Sequence, residues 1–226
     1  MMENPWLSLN SSGPPYLLEM DCEYVQRHNG RARPEHRLML DAIPEPFIGD
    51  PKTAKVVLLN LNPGYDAKVP WDHSRPEIKE AIFRNLRHEH QDYPFYAFNP
   101  AFEGTGVANY WREYTRTLQA EAGLNDLEFA KRLLVIEWFP YSSIKSGLPP
   151  KPVCGSQTYS FQLAKQMLTK QGVQVVGTRS PERWLQAGSE LSRVPFLNNW
   201  QRAWVTRGNM DARVFDRVVW TLTKDA

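Results

Sequence analysis

The residues best equipped to do chemistry in this chain stand directly after apolar runs. Lys55-Val-Val-Leu-Leu-Asn-Leu61 is followed by Asn62-Pro63-Gly64, and Leu133-Leu-Val-Ile-Glu-Trp-Phe139 carries Glu137 and Trp138 before a proline-rich loop, Pro140–Pro152. Val173–Gly177 leads into Thr178-Arg179-Ser180, and Ala203–Thr206 leads into Arg207-Gly208-Asn209-Met210-Asp211. An amide such as Asn62 can hold a water with its carbonyl while its NH2 engages another group. A carboxylate at Glu137 can act as a general base or accept from an N–H of a planar ligand. Arginines grip phosphate in bidentate fashion. Proline fixes one torsion of the first turn and glycine lets a ligand approach its backbone. Asn-Pro-Gly is equally a common structural stop, and the tripeptide alone does not choose between the two.

Other chemistries find less support. His73, His88 and His90 lack the i, i+4 spacing of metal ligands on a helix and are expected to be exposed polar residues. Asp66, Asp72 and Asp92 are loop acids without a visible partner. Cys22 and Cys154 form no C-x-x-C pair, which excludes a four-cysteine metal site and a disulfide framework and suggests a reducing cytoplasm. There is no phosphate-binding P-loop, no nucleophile elbow and no dinucleotide fingerprint. Neither a metal nor another cofactor is expected. The composition, 42% hydrophobic and 23% charged, is that of a globular chain. No apolar run is long enough to span a membrane, and the opening MMENPWLSLNSSGPP has no basic-then-apolar signal pattern. The net charge of +2 hides a local bias: seven arginines and no lysine lie between Arg179 and Arg217, against Glu182, Glu190, Asp211 and Asp216. That pattern suits a surface gripping a nucleic-acid backbone, or a solvated face of ion pairs.

The elements that must position these groups alternate in type. Residues 1–50 read as an irregular extension with a short helix near Leu17–Gln26. Helices are expected from Pro76 to His90 with Ser74 as a cap, from Asn109 to a stop at Gly123, from a Ser156 cap to about Gln171, after Ser180-Pro181, and from about Asp211 to Thr223. Tyr93–Gly106 reads as an aromatic loop. Four apolar runs separated by helices imply parallel strands joined by right-handed crossovers, in a single α/β domain over 1–226. In such a sheet ligands bind beyond the strands' carboxyl ends.

Val56-Val-Leu-Leu-Asn-Leu-Asn62-Pro63-Gly64 resembles the first motif of the uracil-DNA glycosylase superfamily, particularly its mismatch-specific branch, where a hydrophobic strand precedes Gly-x-Asn-Pro-Gly. Gly104-Thr-Gly-Val-Ala-Asn-Tyr-Trp111-Arg is similar to the same branch's loop-to-helix segment. The resemblance covers roughly residues 50–223. It implies a three-layer α/β/α fold with a four-stranded parallel sheet of order 2-1-3-4, and hydrolysis of the N-glycosidic bond of a base flipped out of DNA. In that light Asn62 would orient the attacking water and Gly64, with Tyr65, would floor a roomy base pocket. Phe98 or Phe102 would stack on the base, Glu137 and Trp138 would meet its edge, and Arg179, Arg207 and Asn209 would contact DNA, with Met210 as an apolar wedge. Three features depart from the motifs. The leading glycine is Asn60, Glu137 replaces the base-reading asparagine of uracil-specific branches, and Arg207-Gly208-Asn209-Met210 stands where a second signature, His-Pro-Ser or Asn-Pro-Ser, belongs. A non-catalytic nucleotide or nucleic-acid binder, and a small-molecule hydrolase using Glu137 as base, remain alternatives.

Overall fold

A computed structural model describes residues 3–224. The first long apolar run forms β2, Val56–Asn60, and the second forms β3, Leu133–Glu137. They pair in parallel with Val56 opposite Leu133 and Asn60 opposite Glu137. On the other side of β2 lies β4, Gln174–Gly177, also parallel. All five side chains of β2 and of β3 are buried. Successive side chains point to opposite faces, so the sheet is covered on both.

The fourth strand differs from the expectation. Residues 203–206 join no ladder, although Ala203 and Val205 are buried while Trp204 is exposed. The remaining edge is β1, Phe47–Ile48, antiparallel to β3, so the sheet is ordered β1-β3-β2-β4: the runs at 133, 56 and 174 lie in parallel side by side as expected, but the fourth parallel strand that would complete the order 2-1-3-4 is absent. Two residues carry no readable periodicity, which is why the extension concealed a strand. Gly49 follows at φ 115°, and a Cβ there would lie 2.4 Å from the Leu133 carbonyl oxygen. Only glycine suits both the torsion and the approach.

Helices form where amphipathic spacing and caps agree. Helix α4, Gly106–Ala122, is capped by Thr105, whose hydroxyl accepts from Ala108 N–H, and stops at Gly123 in the left-handed region. It buries Trp111, Tyr114 and Leu118, whereas Tyr110, which the spacing also puts inward, is exposed. Helix α8, Ala212–Thr223, is capped by Asp211, and α6 spans Gln157–Thr169. Helix α6 packs on β3 and β4, and α8 on β2 and β4. Boundaries differ from those expected: α1 is Cys22–Arg31, α3 is Pro76–Leu86 behind an Arg75 cap, Ser74 instead ends α2, Val69–Ser74, and α4 opens at Gly106 rather than Asn109. Helix α5, Asp126–Arg132, and the helix α7, Pro181–Ala187, complete the set.

The first fifty residues share the core rather than adorn it. Trp6, Leu9, Tyr16, Leu18 and Val25 are buried in the same cluster as the sheet. Asp21, fully buried, accepts from the Tyr141 hydroxyl at 2.7 Å and from the Ser156 hydroxyl at 2.5 Å and backbone N–H at 3.1 Å. Ser156 therefore spends its hydroxyl on Asp21 instead of capping α6. Among the described residues no helix is long and apolar enough to cross a membrane.

Candidate functional site at the strand ends

The parallel register sets Asn60 beside Glu137 at the last rung of β2 and β3. Asn60 Nδ2 donates to Glu137 Oε1 at 2.9 Å, while its Oδ1 accepts from the Thr178 hydroxyl at 3.3 Å. The amide is oriented chiefly by Glu137, because the single Thr178 hydroxyl proton is shared with the Leu59 carbonyl at the shorter 2.9 Å. Glu137 Oε2 is buried and has no partner. Burial pushes the Glu137 carboxyl up to about 8, Glu45 adds to the rise, and the Asn60 bond and Arg179 only partly oppose it. The group is a neutral acid at neutral pH. Arg179 lies beside Tyr110, Tyr114 and Glu137.

A second carboxyl stands close by. Glu45 precedes β1 and accepts from the Tyr96 hydroxyl in a short hydrogen bond. His73 Nε2 is 3.9 Å from the other Glu45 oxygen, while its Nδ1 accepts from the Ile43 N–H at 2.9 Å. Burial raises Glu45 to about 7 and lowers His73 to about 4, partly offset for the imidazole by Asp41. Tyr96, also buried, is held well above the ordinary phenol value. This end of the sheet holds Glu137, His73 and Tyr96 uncharged at neutral pH, with Glu45 near its midpoint and Arg179 charged.

The expected site residues divide. Asn62 Nδ2 donates to the Pro63 carbonyl at 3.0 Å, the Ser143 hydroxyl at 3.0 Å and, weakly, the Tyr141 carbonyl at 3.5 Å. Asn62 therefore braces the loop after β3, and its amide does not reach Glu137; Asn60 does. Gly64 faces open space, since a Cβ there would meet no atom within 4 Å. The Tyr65 hydroxyl donates to Asp41 at 2.8 Å, and burial, with Asp41 next, pushes it up to about 12.

Several assignments are overturned by burial. Phe98 is fully buried against Phe95 and Phe129 under Arg112, and Phe102 is packed on Tyr96. Neither can stack on a base without leaving the core. Trp138 is buried against Phe161, with its indole N–H donated to the Arg183 carbonyl at 3.0 Å. Met210 is buried and forms no wedge. Asn209 makes its side-chain bonds within the 199–204 loop, donating to the carbonyls of Asn199, Arg202 and Trp204. Arg207 is engaged by Asp216 at 2.6 Å and Glu121 at 3.8 Å, over the Phe215 ring. Asn62, Glu137 and Asn209 do not converge.

The histidines also differ from expectation. His73 is buried, and His88 stacks on Phe47 and shares a 2.7 Å hydrogen bond with the Tyr159 hydroxyl; His90 is exposed. Sequence reasoning missed Glu45, His73 and Tyr96 as site residues, and put Asn60 at the rim without a role. One signal was present: Glu45 is a lone acid within Ala42-Ile-Pro-Glu-Pro-Phe-Ile48. No group of three or more histidine, cysteine or acidic side chains is placed to hold a metal among the described residues. Compared with known proteins, the chain matches no family model, no curated protein and no solved structure.

Proposed function

We propose that the protein handles bases in DNA, as a glycosylase divergent from the uracil-DNA glycosylase superfamily that hydrolyses the N-glycosidic bond of a flipped base. The observation that carries this reading is the Asn62 amide: its NH2 is tied to Pro63 and Ser143, beside the open space over Gly64. Tethering the NH2 leaves the carbonyl oxygen as the end available to a water. An amide is no strong base, which suits a reaction in which the C1′–N bond breaks first and its electron pair leaves with the base. Water then adds to C1′, and its proton ends on the departing base or in solvent. The protein's share is positioning and charge stabilisation.

Glu137 fits this scheme better as an acid than as a carboxylate. Neutral, it does not repel an anionic leaving base, and it leaves the charge of Arg179 uncompensated nearby. The test is alkaline strand cleavage on duplexes carrying uracil, hypoxanthine or mismatched thymine. Cleavage by the native chain, reduced about 100-fold in Asn62→Ala, is the expected result. No excision on any of these substrates overturns the proposal. The burial of Phe98, Phe102 and Trp138 favours a second reading, a binder without excision, which such a result together with DNA binding would establish.

A further inference from the structure

A charged cleft is reached by the loop that follows β3, through Gly147. Tyr24, Arg27, His28, Arg31, Arg33 and His36 line an open cleft of about 500 Å³, and Gly147 forms its far wall. Ala32 is its one aliphatic lining residue; the rest are tyrosine, histidine, arginine and glycine. The walls are fixed by hydrogen bonds. His28 Nε2 donates to the His36 carbonyl at 2.9 Å, the Tyr24 hydroxyl is 3.3 Å from His28 Nδ1, and the Lys145 N–H donates to the Glu35 carbonyl at 2.8 Å. A Cβ at Gly147 would lie 2.8 Å from the His36 side chain, so this approach depends on the missing side chain.

The cleft is short of counter-charge. Arg27 reaches Glu23, four residues back. Arg31 and Arg33 are exposed and have no carboxylate partner among the described residues. Guanidinium groups gathered without anions repel one another and match phosphate oxygens in geometry and charge. The loop from Ser143, which touches Asn62, to Gly147 at the cleft is four residues, at most about 14 Å of chain. With one phosphate per about 3.4 Å of strand, that is on the order of four nucleotides.

We propose that this cleft is a second, sequence-independent site that binds the phosphodiester backbone of a nucleic-acid strand through Arg31 and Arg33, supported by Arg27. It shares with the preceding reading only the class of ligand and needs no catalysis. The test is fluorescence anisotropy of the full chain with a labelled oligonucleotide of about 20 nucleotides, single-stranded and duplex, over a salt series. Arg31→Ala/Arg33→Ala should weaken binding about tenfold or more at low salt and flatten the duplex log–log salt slope by about 1.8. Arg84→Ala/Arg116→Ala removes equal charge from the exposed faces of α3 and α4 and should change affinity by less than about threefold. Circular dichroism of each variant establishes that it is folded.

The proposal is overturned if the native chain does not bind, if the two pairs behave alike, or if the cleft pair changes nothing. It is also overturned if a mononucleotide or inorganic phosphate displaces the oligonucleotide at equal phosphate concentration, which would make the cleft a site for free phosphates. Excision measured on the same samples separates the two proposals. Binding that depends on Arg31 and Arg33 without excision sinks the glycosylase reading alone. Excision with binding indifferent to this pair sinks the cleft alone.

Discussion

The strand-end cluster and the α1 cleft hold ionisable residues in opposite ways. At the strand ends Glu45, Glu137 and His73 are buried and linked to Tyr96, Asn60 and Ile43, and burial shifts each toward its neutral form. In the cleft the arginines stand exposed, and Arg31 and Arg33 lack partners. Burial disfavours the charged form of any group, so the first region deals in protons and polar direction. Exposure leaves charge intact but screened by salt, so the second deals in long-range attraction. Burial, more than residue type, separates the two roles.

The sharpest way to break this contrast is Asn60→Ala, which strips the donor from Glu137 Oε1 and leaves a buried carboxyl with no partner on either oxygen. A loss of about 1–3 kcal/mol in urea unfolding is expected; an unchanged midpoint would mean that the pair is solvated. Next is the pH profile. Glu45 and Glu137 stay protonated in the folded chain up to about 7 and about 8, whereas the unfolded chain releases these protons near 4.5. Stability therefore declines as pH rises through that window, by at most about 1.4 kcal/mol per unit for each group. His73 runs the other way: neutral when folded down to about 4, it costs stability as pH falls below 6.5. Glu137→Gln removes one alkaline loss, so between pH 6.5 and 8 the variant should gain about 1–2 kcal/mol on the native chain. Parallel melting curves across that range would refute a neutral Glu137. The smallest effect belongs to the cleft, where Arg31→Ala/Arg33→Ala should shift stability by no more than about 0.5 kcal/mol. A larger destabilisation would show that these arginines hold the fold together.

Much of the frame was legible because long apolar runs and caps report burial directly. Val56–Asn60 and Leu133–Glu137 sit within the runs that marked them, and Gly123 and Asp211 end and begin helices as their chemistry implies. The run at 203–206 misled because Val205 is buried without a ladder, its N–H reaching the Tyr114 carbonyl at 3.5 Å. The site was less legible. Asn60 looked like a departure from a motif, yet the parallel register makes it Glu137's partner. Phe98 and Trp138 looked like a recognition surface because aromatic residues serve cores and ligands alike. Glu45 and His73 owe their roles to tertiary packing between residues 28 positions apart in sequence, which no local pattern records.

The buried Asp21 hub has a consequence for how the chain is made. Its partner Tyr141 lies 120 residues downstream and Ser156 lies 135. During synthesis the N-terminal stretch leaves the ribosome first, yet its carboxylate lacks its full set of partners until the last of these emerges, a delay on the order of ten seconds. The opening segment is thus fastened late, by residues that do not yet exist when it appears.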